Sequence, residues 1–187
     1  MSTLETNLIQ PATGTTLTVG ASGDTIDIPS GATLDSTGAT ITGALTNTPA
    51  FSAYLNADQT ITDNTFTKIQ FDTEVIDTDS TYDSSSNFRW TPGVAGKYFM
   101  YLGVTIDDLD DGKRLFIKIY KNGSGIAESL SVVGSGVTEK YSNNTSVIDI
   151  ADDDDYYEAY VYHDIGSAEE IRTDYQSIFM GYKLIGA

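Results

Sequence analysis

Phe88-Arg-Trp-Thr-Pro-Gly-Val-Ala-Gly-Lys-Tyr-Phe-Met-Tyr-Leu-Gly-Val-Thr-Ile106 decides the fold. A Pro-Gly turn leads into a run in which Tyr98, Met100, Leu102, Val104 and Ile106 recur at every second position, the period of a β-strand. The intervening positions hold Phe99 and Tyr101 rather than charges, so the strand is apolar on both sides. A two-sheet sandwich buries only one face of each sheet, so such a strand must lie against something outside its own sandwich. Homotypic association is the economical answer, and the alternative is that these aromatics merely cap the sandwich ends.

Outward from this run, period-two alternation predicts strands over 51–56, 65–77, 87–91, 97–107, 114–121, 125–133, 145–151, 156–163 and 176–185. Leu115, Ile117 and Ile119 alternate with Phe116, Lys118 and Tyr120, as in an ordinary half-exposed strand. The last strand resembles the first in its two-sidedness, with Ile178, Met180 and Tyr182 against Phe179. No stretch sustains an i, i+3, i+4, i+7 stripe, so essentially no helix is expected. The fold class is therefore all-β: eight to ten short strands in a sandwich of jelly-roll size. Phe99, Tyr101, Phe179 and Tyr182 are its candidate subunit interface.

Before residue 51 the texture changes. Residues 13–50 are nearly all Thr, Gly, Ala, Ser and Asp, with single aliphatics at Leu17, Val19, Ile26, Ile28, Leu34 and Ile41. Thr-aliphatic pairs at Thr16-Leu17, Thr25-Ile26, Thr33-Leu34 and Thr40-Ile41 are separated by Gly-containing turns, an irregular short repeat. One copy buries too little to offset its conformational entropy. Either the segment is a disordered linker, or three chains intertwine as a β-rich stalk with those six aliphatics on the axis; the stalk is the expectation. The domain reading is an N-terminal anchor over 1–12, a stalk over 13–50 and a head over 51–187.

Ten Lys and Arg against 27 Asp and Glu give a net charge of −17. That surface repels nucleic acid and anionic membranes, so neither nucleic-acid binding nor membrane insertion is expected. The absence of Cys removes thiol catalysis, disulfides and thiolate metal sites. No basic, apolar leader and no spanning segment is legible, and the chain reads as soluble.

Enzyme chemistry fails on inventory. His163 is the only imidazole and reads as a surface or turn residue, and neither a Gly-x-Ser-x-Gly elbow nor a phosphate loop occurs. Paired carboxylates could hydrolyse glycosides, but only beside a long groove that this chain is too small to build. The loops holding Asp107, Asp108, Asp110 and Asp111, and Asp152 and Asp154, could supply oxygen ligands for Ca²⁺. The first is no EF-hand, since its third and twelfth positions fall on Leu109 and Lys118. A solvated acidic surface is the alternative, and no other cofactor is expected.

The Phe88–Ile106 stretch resembles the F-x-x-P-x-x-G-x-Y-x-F pattern of trimeric complement globular heads and their tumour-necrosis-factor-like relatives. Similar features occur in order along the chain: Phe51-Ser-Ala, Leu115–Asn122 with its Lys-Asn-Gly turn, Ser146–Ala151 before an acidic turn, and Phe179-Met-Gly-Tyr182. The resemblance implies three ten-strand jelly rolls about an axis, both termini of each head at one end and binding loops at the other. The collagen stalk of the animal proteins is missing, and the Thr/Gly/Ala/Asp segment is instead similar to the β-rich shafts of tailed-phage fibres. Together the two resemblances imply a homotrimeric virion protein of a tailed bacteriophage, mounted on other virion proteins through its N-terminus. Its head would attach to a bacterial surface glycan or protein by avidity. A capsid-decorating or head-completion fibre and a secreted complement-like adhesin are the alternatives.

Overall fold

The computed structural model describes residues 19, 21–33, 35, 37, 46–134, 139–173 and 176–185. The chain divides into two units, Met1–Thr42 and Gly43–Ala187. In the first, the described residues hold turns and no strand. Asp24 N–H donates to the Ala21 carbonyl at 3.0 Å and Ala32 N–H to the Pro29 carbonyl at 3.0 Å, so the Ser-Gly pairs do make turns. Val19, Ile26 and Ile28 are exposed in the single chain. Leu17, Leu34, Ile41 and the 1–12 anchor lie outside the described residues.

Among the described residues the second unit is a sandwich of thirteen strands: β1 (Ala50–Tyr54), β2 (Gln59–Ile61), β3 (Thr67–Lys68), β4 (Thr73–Asp77), β5 (Tyr82–Asp83), β6 (Arg89–Trp90), β7 (Gly96–Leu109), β8 (Arg114–Lys121), β9 (Ser124–Val132), β10 (Glu139–Ala151), β11 (Tyr157–His163), β12 (Glu169–Ile171) and β13 (Ile178–Lys183). The only helical element among the described residues is a 3₁₀ turn at Thr78–Ser80. The expected all-β sandwich is therefore what forms, with eight longer strands and five of two or three residues in place of ten.

The first sheet runs β10, β7, β13, β1, β4, with β12 and β2 continuing beside the far end of β7; the second runs β5, β6, β11, β8, β9, with β3 also on β11. The 65–77 run is two strands, because the chain changes sheets there: β3 pairs with β11, whereas β4 pairs with β1. Ile69 and Phe71, both buried, fill the core at the crossing. Strand β10 begins six residues earlier than its apolar alternation, at Glu139. Backbone pairing to β7 along the polar stretch Tyr141–Asn144 holds it.

Between the sheets the core is built around Trp90. Phe51 packs on Tyr82 at 4.9 Å, on Trp90 at 4.7 Å and on Phe179 at 4.9 Å between ring centroids, and Trp90 meets Tyr98 edge-on at 5.2 Å. Each polar tip finds a partner, as burial requires: Trp90 Nε1–H donates to Thr81 Oγ1 at 2.9 Å and the Tyr82 hydroxyl to the Phe71 carbonyl at 3.1 Å. Gly181 is needed here, since a Cβ at that position would stand 2.8 Å from the Trp90 ring. His163 is not at the surface: it takes the inward parity of Tyr157, Ala159 and Val161 and is fully buried.

Candidate assembly and attachment surfaces

On β7 the even positions from Tyr98 to Ile106 are buried, which turns Phe99 and Tyr101 to the open side of the first sheet. Register then builds rows across the strands. Ile148 of β10, Phe99 of β7 and Tyr182 of β13 form one, with Phe99 and Tyr182 ring centroids 5.4 Å apart. Ser146, Tyr101 and Met180 form the next, and Asn144, Gly103 and Ile178 the third. The Tyr101 ring lies along its own strand over Gly103, where a Cβ would come within 3.0 Å of its hydroxyl. At the edge, Ile148 is 62% and Ile150 67% exposed. Two β-branched aliphatics this exposed, next to half-buried aromatics, form an apolar patch that the described residues leave open.

Three of the four expected interface residues, Phe99, Tyr101 and Tyr182, lie on this open face. Phe179 does not. It points into the core, 0% exposed, because β13 has the parity that places Phe179 and Gly181 inward; Ile178, Met180 and Tyr182 are the outward set. Ile148 and Ile150 complete the face and escaped the interface expected from sequence. The signal for them was the alternation Ser146, Ile148, Ile150 against Val147 and Asp149.

The acidic residues do not converge. Gly96 pairs with Ala151 and Leu109 with Glu139, so the two clusters stand at opposite ends of the long β7/β10 ladder, on the order of 40 Å apart at strand rise. Asp107 and Asp108 are within β7 rather than in a loop. Asp107 is matched by Arg172 at 3.0 Å and Lys140 at 3.8 Å, and Arg172 also pairs with Asp58. In the second cluster Asp152 and Asp154 stay exposed while Asp155 turns inward, accepting from Asp152 N–H at 2.7 Å and Asn122 Nδ2–H at 2.6 Å and pairing with Lys121 at 2.8 Å. The Lys121 ammonium, helped by the Asp152 amide, holds the Asp155 carboxyl below its ordinary range. Among the described residues no three His, Cys, Asp or Glu side chains gather as a metal group, so Asp107, Asp108, Asp110, Asp111, Asp152 and Asp154 do not form the expected Ca²⁺ site.

The second sheet has an aromatic outer face that alternation in the sequence did not single out. Tyr162 of β11 stands opposite Phe116 of β8, which stands opposite Leu130 of β9. Phe66 closes the row, with ring centroids 5.2 Å from Tyr162 and 6.2 Å from Phe116. Lys118 Nζ sits 4.8 Å over the Phe66 ring, and Tyr120 and Tyr160 pack at 4.5 Å in the adjoining rows. Ala50 pairs with Tyr182 at the base of the sandwich, whereas Leu115 and His163 lie toward the opposite end. The band of rings, one position from His163 on β11, is therefore displaced toward the end away from that base.

Two sheets with this strand order, a core aromatic cluster and one open apolar sheet face define a jelly roll of the complement and tumour-necrosis-factor type. Residues 50–184 match the C1q domain, and the chain belongs to the C1q family. Among solved structures, the Eiger TNF of S. frugiperda is similar with a TM-score of 0.55 at 11% identity, covering 74% of this chain and 93% of that one. Murine APRIL at pH 5.0 is similar with a TM-score of 0.55 at 9% identity, covering 72% and 98%. The globular domain of zebrafish complement 1qA aligns at 13% identity over 73% and 96%, with a TM-score of 0.49. No curated protein matches the chain in sequence. Domains of this family are typically binding or structural modules rather than enzymes.

Proposed function

We propose that the chain is a homotrimeric, non-enzymatic attachment protein of a tailed-phage virion. Three heads would pack their open first-sheet faces about an axis and present the outer faces and far-end loops to a bacterial surface glycan or protein. The observation that carries this reading is the uncovered row Ile148, Phe99 and Tyr182, with Ile150 beside it. Its burial in a homotypic interface satisfies the two-sided strand β7, and trimers are the usual state of C1q-family heads. The outer ring band supports the attachment role: Phe66, Phe116 and Tyr162 offer broad apolar area with a hydroxyl at the edge, which suits sugar rings as well as protein loops. The Thr/Gly/Ala/Asp texture of 13–50, similar to phage fibre shafts, supports the virion context.

The test has two parts. Light scattering at micromolar concentration is expected to give about three times the 20.1 kDa chain mass, and a monodisperse 20.1 kDa species refutes the trimer. Mass spectrometry of purified virions is expected to detect the chain, and purified trimer is expected to bind host cells. Presence on virions without cell binding would leave a decorating fibre instead.

A further inference from the structure

His163, the only histidine in the chain, ends β11 with its ring fully buried. Its Nε2 lies 3.2 Å from the Ile61 carbonyl oxygen. A carbonyl can only accept, so this contact assigns the ring proton to Nε2 and leaves Nδ1 as a lone pair. Among the described residues Nδ1 has no hydrogen-bond partner. What it faces is another acceptor, Asp63 Oδ1, at 3.6 Å. Two opposed acceptors, the ring fully buried and the Asp63 carboxylate 23% exposed, are short of one proton.

The carboxylate is held by two loops. Asp63 Oδ1 accepts from Gly166 N–H at 2.9 Å and Oδ2 from Asn64 Nδ2–H at 2.6 Å, while Asn64 N–H donates to the His163 carbonyl at 2.8 Å. Other charged groups nearby are already engaged. Asp164 accepts from Arg114 at 2.6 Å, and Lys113 Nζ donates to the Asp164 carbonyl at 3.0 Å. Glu169, opposite Ile61 in the β12–β2 register, accepts from the Ser167 hydroxyl at 3.0 Å. The Tyr162 hydroxyl donates to Asn64 Oδ1 at 2.9 Å, and Leu115, opposite His163 on β8, is apolar. Among the described residues Asp63 alone is a carboxylate within ion-pairing distance of the ring.

We propose that His163 and Asp63 form a proton-operated clasp. On taking a proton from solvent, Nδ1 donates it to Asp63 Oδ1 in a charge-assisted hydrogen bond, which ties loop 62–66 to loop 164–168 at the end of β11. The neutral state leaves those loops joined only through the fixed carboxylate. Loop 62–66 carries Phe66, so the clasp sets how firmly one member of the ring band is held. That last consequence rests on the attachment reading; the clasp itself does not.

With a single histidine, ¹⁵N-histidine labelling of the full chain reports this site alone. At pH 7.5 one ring N–H, on Nε2, is expected, and at pH 5.5 two. Over the same change, exchange of the Gly166 amide, corrected for its intrinsic pH dependence, is expected to slow roughly tenfold, the scale of one charge-assisted bond. Asp63→Asn keeps an oxygen acceptor for Gly166 but removes the charge, and is expected to show one ring N–H at pH 5.5 and no slowing. A proton on Nδ1 at pH 7.5, a single ring N–H at pH 5.5 in the unaltered chain, or the same response in the Asp63→Asn variant overturns the proposal. Loss of cell binding with the two-proton spectrum intact refutes the attachment reading and leaves the clasp standing.

Discussion

Phe99 and Tyr182 face each other across β7 and β13 on the open side of the first sheet, with ring centroids 5.4 Å apart and Ile148 opposite Phe99 on the other flank. A charge in this row would be desolvated by any partner that covered it, at a cost no neighbouring cation in the row offsets. Ile148→Asp, on an exposed edge position, leaves the core untouched. It is expected to convert the assembly to 20.1 kDa monomers in light scattering while the far-ultraviolet spectrum stays that of a β-sandwich. Unchanged assembly would place the interface elsewhere.

Phe179 tests the other side of the same sheet. It touches Phe51 at 4.9 Å and Phe71 at 6.2 Å between centroids inside the core, so its loss leaves a cavity rather than a weaker interface. Phe179→Ala is expected to lower unfolding free energy by about 3–5 kcal/mol in a denaturant titration. Gly181→Ala is expected to cost about 1–3 kcal/mol, because its Cβ would be 2.8 Å from Trp90 and 3.1 Å from Met100 and Phe51. If Phe179→Ala dissociated the assembly while leaving unfolding unchanged, the parity described for β13 would be wrong.

Alternation over Tyr98–Ile106 carried the sandwich, and the two-sidedness of β7 carried the open face. What it could not supply was the parity of β13, since Phe179 on one side and Met180 with Tyr182 on the other are equally apolar. Gly181, which shares Phe179's parity, marks the inward side only once Trp90 is known to lie over it. Strands β2, β5 and β12 span two or three residues, too few to show a period. His163 was legible in principle, two positions beyond Val161 in the inward series. Asp107 was not, because its partner Arg172 is 65 residues away and only the fold brings them together.

The base of the sandwich carries an acid-sensitive lock. Asp155 is held below its ordinary 3.8, first by the hydrogen bond from Lys121 and next by the Asp152 amide. A folded-state carboxyl depressed in this way adds stability that is complete above the unfolded value and lost as pH falls through the lower folded one. Lys121→Met removes the leading cause, and with it the partner of Asp149 at 3.0 Å. Its melting temperature is expected to fall short of the parent's at pH 7, the gap narrowing as pH drops below the ordinary Asp value toward the lower folded-state value of Asp155. A gap that did not narrow as the pH was lowered would show that Lys121 acts through packing rather than charge.

The outer ring band yields a prediction separable from assembly. Phe66 lies outside the core, in the loop before β3, in contact with Tyr162 at 5.2 Å and under Lys118 at 4.8 Å, and packs on the second sheet rather than the open face of the first. Removing one ring from a stacking platform costs about 1 kcal/mol per site, and in the proposed trimer three linked sites would multiply the loss in avidity. Phe66→Ala is therefore expected to keep the trimeric mass and the melting temperature within a few degrees while reducing retention on host cells at least tenfold. Tyr162→Phe, which keeps the ring and removes only the hydroxyl bonded to Asn64 at 2.9 Å, is expected to retain most of the binding. Equal binding by Phe66→Ala and the parent would move the attachment site off this face and onto the loops.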